Sequence, residues 1–258
     1  MALTAHAAGS GDIAIHLSST ELFSVAGIGI SNTLMAVWLA MIVLIGSSYL
    51  IGRRLSWRPG KVQIIAETLV GFVHTTVRDL LGSDAHATRF LPLILTLFLF
   101  ILTVNWVGLL PGVESIGVYV TNDGVREFIP FFHPGNTDLN MTIALALISF
   151  VAIQISGFFI LGFRTYGSKF LSFKSPIAFI VGIIELISEF SRIISFAFRL
   201  FGNIFAGSVL ILVVATLVPY IAPVPLLVFE LFVGLVQAFI FATLTLFFIK
   251  IAITADAH

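Results

Sequence analysis

Long stretches of this chain show no polar face at all. Residues 22–52, 90–113, 139–163, 200–229 and 231–249 carry no Asp, Glu, Lys or Arg, and about 20 apolar residues suffice to cross the hydrocarbon core of a bilayer as a helix. Membrane strands would alternate apolar and polar residues with a period of two, whereas "LPLILTLFLFILTVNWVGLL" is apolar on every side. The expected fold is an all-α polytopic membrane protein with about five to six membrane helices. Between "WRPGK" and Gly82 the pattern changes. Val62, Ile65, Leu69, Phe72, Val73, Val77 and Leu80 recur at helical spacing, with Gln63, Glu67, His74 and Arg78 on the other side, which predicts an amphipathic helix. Two placements stay open for it, on the cytoplasmic interface or packed as a hairpin between spanning helices; in both it crosses nothing. Residues 177 to about 218 can form one very long helix, ended by Pro219, Pro223 and Pro225. A second helix, about 226 to 251, should return as its antiparallel partner. The outline is a single membrane domain over 1–258: an outside N-terminal segment (1–30), a first membrane helix (31–52), the amphipathic helix (60–82), two membrane helices (89–163) and a long C-terminal helical hairpin (175–251).

Composition sharpens this. With 59% hydrophobic and 10% charged residues and a mean hydropathy of +1.11, a soluble globular domain is excluded. There is no Cys, so neither a disulfide framework nor a thiolate metal site is expected. A net charge of zero argues against a nucleic-acid partner. The first twenty residues lack the basic start and compact apolar core of a cleaved signal, so the first helix should be retained. Lys and Arg are absent from 1–52, then Arg53, Arg54, Arg58 and Lys61 arrive together, and Arg164, Lys169 and Lys174 follow the third run. The loop 111–138 has only Arg126 against Glu114, Asp123, Glu127 and Asp138. Because cytoplasmic loops collect the cations, the N-terminus and that loop should lie outside and the end bearing Lys250 inside.

The chemistry concentrates on one stripe. At about 100° per residue, Glu185, Glu189, Arg192, Arg199 and Asn203 fall within roughly 80° of one another, with Ser188 and Ser195 alongside. On the following helix Glu230, Gly234, Gln237 and Phe241 share a face. Ionisable residues in membrane segments are costly and usually line a pathway. Glu189 and Arg192 are three apart and can pair along the helix. The residues three and four removed from Arg199 are Ser195, Phe196, Gly202 and Asn203, so nothing local neutralises it. An arginine at this depth costs about 2.5–3.5 kcal/mol on insertion scales. Its compensation must come from Glu230 as a fixed salt bridge, or from a carboxylate outside this chain.

These residues are familiar as a set. "SRIISFAFRLFGNIFAG" followed by "ELFVGLVQAFIF" resembles subunit a of the F-type ATP synthase, the stator of the membrane motor. The likeness extends more weakly through "TVNWVGLLPG", "DLNMTIALAL" and "IELISEFSR", covering most of the chain from about residue 91. What the resemblance implies is a non-catalytic, ion-translocating subunit of the membrane sector with no cofactor. It would couple proton flow through two aqueous half-channels to ATP synthesis. Arg199 matches the arginine that faces the carboxylates of a rotating ring of c subunits. Gln237 aligns with the glutamine near that arginine and Asn203 with the asparagine one turn along. Glu185 aligns with an acid of the cytoplasmic half-channel, with Glu189 and Ser195 on the same stripe, and Asp138 and Asn140 align with the polar start of the helix lining the outer one. Many bacterial relatives carry an acid five residues after the asparagine and a histidine in the last helix; here those positions are Ser208 and Glu230, which moves the outer path onto Glu230. Ile193 stands where relatives often have proline. Implied partners are the c ring, b-type peripheral stalk subunits, the other synthase subunits and the lipid bilayer. The implied location is a bacterial inner membrane, or else an organelle's energy-transducing membrane.

Other residues have plainer explanations. Asn105 reads either as lining the outer channel or as an asparagine bonding a neighbouring helix; His74 and His133 read as solvated. A self-contained secondary transporter or anion channel, with Arg199 binding substrate, would show two related halves with broken helices, and here the charged stripe occupies the C-terminal third only. An intramembrane protease would need a nucleophile with its base or a metal motif such as H-E-x-x-H, and neither occurs.

Overall fold

The computed structural model describes residues 21–25, 28–110, 112–113, 116–122, 125–162, 166–167, 176–219 and 221–254. Most of residues 1–30 and the loop charges Glu114, Asp123, Arg164, Lys169 and Lys174 lie outside them. In chain order come a hairpin of β1 (Glu21–Val25) and β2 (Ile28–Ser31), α1 (Asn32–Arg53), α2 (Lys61–Leu81), α3 (Asp84–Leu109), a hairpin of β3 (Gly117–Asn122) and β4 (Val125–Pro130), and a 3-10 turn (Gly135–Thr137). Three helices complete it: α4 (Leu139–Leu161), α5 (Pro176–Leu217) and α6 (Pro223–Ile253). Among the described residues five helices, all but α2, are long and apolar enough to cross a membrane. The protein is a multi-pass, all-α membrane protein.

Several boundaries depart from the pattern in the sequence. Helix α6 begins at Pro223, upstream of the expected start near 226, because proline lacks only an N–H that the first turn leaves unpaired. Helix α3 begins at Asp84 rather than near 89, its polar first turn having no apolar periodicity to reveal it. Both antiparallel hairpins fall in segments read from the sequence as an outside segment and a loop. Ser31 ends β2 and starts α1 together: its hydroxyl accepts from the Leu34 N–H at 3.3 Å, an N-cap bond.

The chain forms two compact units. The first gathers the chain up to Ile45 with Phe100–Asp138 and Phe201–Leu235, and its core includes Ala36, Val37 and Ala40 of α1 with Ile101 and Val104 of α3. The second gathers Gly46–Leu99, Leu139–Leu200 and the chain from Val236. There α2 buries Val73 and Val77 while Val62, Ile64 and Ile65 stay exposed, and Phe72 lies 5.9 Å from the ring of Phe239 on α6. The amphipathic helix is thus packed on its neighbours through its second half and uncovered through its first. Helix α5 is the least covered of the five long apolar helices: 11% of its apolar window is buried inside the chain, against 44% for α3 and 39% for α6.

Candidate functional site

In the first unit, Glu230 of α6 is 3% exposed and its carboxylate lies directly against Gly207 of α5, where an added Cβ would overlap both carboxylate oxygens. Only glycine lets the acid reach the backbone of α5. Glu230 Oε1 is buried with no hydrogen-bond partner among the described residues. A buried acceptor in that state is expensive unless water or a proton reaches it.

A second polar cluster in the same unit joins α1, the 3-10 turn, α3 and α6. Asn105 Nδ2 donates to the Gly234 carbonyl at 3.1 Å, and Asn105 Oδ1 accepts from Asn136 Nδ2 at 2.5 Å. Trp106 Nε1 donates to the Leu231 carbonyl at 3.1 Å, so α3 binds the backbone of α6 twice. Of the two readings of Asn105, the interhelical bond is the one observed. Thr33 Oγ1 donates to Asp138 Oδ2 at 3.1 Å, and Asn203 is exposed on α5.

In the second unit α5 and α6 run antiparallel. Arg192 lies 3.8 Å over the ring of Phe248, and one turn further along α5 the ring of Phe196 is 5.0 Å from that of Phe241. One turn beyond Phe241 on α6 comes Gln237, 9% exposed, which this register brings level with the neighbourhood of Arg199. Among the described residues the Arg199 side chain makes one hydrogen bond, Nη2 to Ser195 Oγ at 3.4 Å, and no ion pair; a neutral hydroxyl cannot balance its charge. Glu185 is half-buried and Asn140 exposed.

Ten residues before Arg199, a buried network closes around Glu189. Arg192 Nη1 donates to both Glu189 oxygens, at 2.8 and 2.9 Å, the pair its spacing predicts. Gln154 Nε2 of α4 donates to Glu189 Oε2 at 3.0 Å, and the Tyr166 hydroxyl donates to Gln154 Oε1 at 2.7 Å. Tyr166 is 1% exposed; its ring sits where a Cβ on Gly157 would go. Burial, with the nearby Glu189 charge, pushes its phenol up to about 12, so it stays a neutral donor. Sequence reasoning missed Gln154 and Tyr166. The available signal was an amide within the otherwise apolar α4.

A polar stripe on the least covered helix, a cation with no ion pair among the described residues and a buried acid against a glycine form a specific combination, and one family model covers it. The model described as the ATP synthase A chain matches residues 34–250. The chain belongs to the ATP synthase A chain family. Similar relatives include ATP synthase subunit a of Moorella thermoacetica, 30% identical over 234 residues that cover 91% of this chain and 96% of the relative. The subunit a of Geotalea daltonii is 31% identical over 226 residues, 86% and 87% of the two chains, and that of Campylobacter jejuni subsp. doylei is 35% identical over 187 residues, 72% and 74%.

For this A chain the Gly207 contact yields a direct expectation. Gly207→Ala should push the Glu230 carboxylate off α5 without unfolding the helix pair, because the group that must move is the far end of a flexible side chain. ATP-driven acidification of inverted membrane vesicles should slow about tenfold, with subunit levels in the membrane unchanged. A normal rate would mean that the seat of Glu230 is irrelevant to transport.

Proposed function

We propose that this chain is the ion-translocating stator of the membrane sector of an F-type ATP synthase, with Arg199 facing the carboxylates of a rotating c ring. The observation that carries this is Arg199 itself, partly exposed and without an ion pair among the described residues, on the least covered apolar helix. A guanidinium is permanently charged and favours the ionised form of any carboxylate that approaches it. A carboxylate carried past it must release its proton on one side and regain one on the other, so protons cross only as the ring turns. Two half-channels supply the traffic: an outer one bordered by Glu230, Asp138 and Asn140, and a cytoplasmic one bordered by Glu185 and Ser195 with Glu189 beside them. Gln237 and Asn203 flank the arginine.

The excess of Lys and Arg after the first and third apolar runs supports an N-terminus outside and a C-terminus in the cytoplasm, in a bacterial inner membrane or an organelle's energy-transducing membrane. In the complex the chain meets the c ring, b-type stalk subunits and the other synthase subunits. Cross-linking tests the central contact. The chain has no Cys, so a single cysteine at the exposed Asn203 should form a disulfide, on mild oxidation of membranes, with a cysteine placed beside the ring carboxylate of a small hairpin proteolipid. A cysteine at Asn203 that reacts with water-soluble reagents yet never joins the proteolipid would remove the ring from this face. A self-contained transporter using Arg199 for substrate would give that result.

A further inference from the structure

Two arginines lie on the α5 stripe, Arg192 and Arg199, seven residues apart and therefore on nearly the same face. A carboxylate approaching that face would meet two cations about 10 Å apart along the helix axis. The structure treats them differently. Among the described residues Arg199 has a single long bond to a hydroxyl. Arg192 is neutralised: both oxygens of Glu189 accept from it, and the two side chains are 18% and 5% exposed. The carboxylate is fixed in turn by Gln154, and Gln154 by the buried Tyr166, while the guanidinium rests on the Phe248 ring. Two further side chains and the Phe248 ring are thus spent on one charge pair, and Ser195, the bond partner of Arg199, is exposed.

We infer that Glu189, held in place by Gln154 and Tyr166, silences the charge of Arg192, so that Arg199 is the single cation the stripe presents to a passing carboxylate. This inference rests on the stator role proposed above and deepens it, taking Glu189 out of the proton relay. Glu189 becomes a positioning residue whose effect passes through Arg192. Its carboxylate is poorly placed to pass protons along a channel, because it is buried and both its oxygens already accept from Arg192, one of them also from Gln154. Freed of its partner, Arg192 would act as a second trap two turns from the first. A unit charge at about 10 Å in a medium of intermediate dielectric changes the ionisation equilibrium of a carboxylate by about tenfold. The passing acid would then regain its proton late and leave slowly.

The test measures ATP-driven acidification of inverted vesicles containing the assembled complex. Glu189→Gln, which keeps the size of the side chain and leaves Arg192 unpaired, should slow pumping about tenfold. Adding Arg192→Gln should restore the rate to within about twofold of the parent, because the double variant has no second cation. A parental rate in Glu189→Gln overturns the inference, as does a double variant no faster than the single one, the outcome for a pair that only holds the helices together. Should Glu189→Gln fail to accumulate in membranes, Gln154→Leu keeps both charges and loosens the clasp; it is measured with and without Arg192→Gln, and the same order of rates is required. Arg199 is intact in every variant, so the ranking of single and double variants decides the role of Glu189, whereas survival of pumping in Arg199→Ala would defeat the stator role separately.

Discussion

Replacing Arg199 with Ala is expected to abolish ATP-driven proton pumping and at the same time to open a passive proton leak through the membrane sector. Both effects follow from the isolation of the guanidinium, whose side chain bonds only Ser195 Oγ among the described residues, at 3.4 Å. In the stator mechanism proposed above, nothing would then pull the proton from an arriving carboxylate, and no fixed positive charge would bar direct passage from one half-channel to the other. Arg199→Lys should also fail. An ammonium is more strongly hydrated than a guanidinium and loses its proton when buried, and it offers no planar fork to a moving acid. The measurement is proton flux through reconstituted membrane sectors stripped of the soluble catalytic part, compared for the parent and both variants. Coupled pumping that survives Arg199→Ala in an assembled complex would make this arginine structural.

Glu230→Gln is the second substitution expected to have a large effect. The acid is buried against Gly207 with one oxygen unsatisfied among the described residues, an arrangement that an exchangeable proton or a visiting water relieves and that a fixed structural role does not explain. A positioned proton-transfer group contributes about 10²–10⁴-fold; pumping should fall on the order of a hundredfold while the complex remains assembled. Glutamine matches the size of the acid, so the packing against α5 survives and the loss reports on titration alone. Rates equal to the parent's would place the outer path elsewhere.

What the sequence revealed and what it hid divide along a physical line. Helical spacing identifies neighbours within one helix, and so the pairing of Glu189 with Arg192 and the isolation of Arg199 could be read directly from the chain. Apolar run length likewise disclosed the long helices, since a bilayer imposes it. Contacts between helices obey no such local rule. Gln154 and Glu189 lie 35 residues apart and Asn105 and Gly234 lie 129 apart, and nothing in a row of apolar residues says which of them turns toward another. The seat of Glu230 was hidden for the same reason: Gly207 looks like an ordinary small residue until the facing helix is in place. The hairpins were obscured because residues 21–31 and 117–130 are short and carry no strict alternation.

The length of α5 has a geometric consequence. Its 42 residues measure about 63 Å along the axis, roughly twice the 30 Å hydrocarbon thickness. Both ends are apolar, with Ile177, Phe179 and Ile180 exposed at one and Val213 and Leu217 at the other, so neither gains by projecting into water. A continuous helix of that length stays within the slab only by lying over, about 60° from the normal. Glu185 and Asn203, about 27 Å apart along the helix, then differ in depth by only about half that distance. In the motor proposed here, the stripe runs more along the track of the ring than across the bilayer, and a rotating carboxylate meets its polar groups in succession at nearly one level.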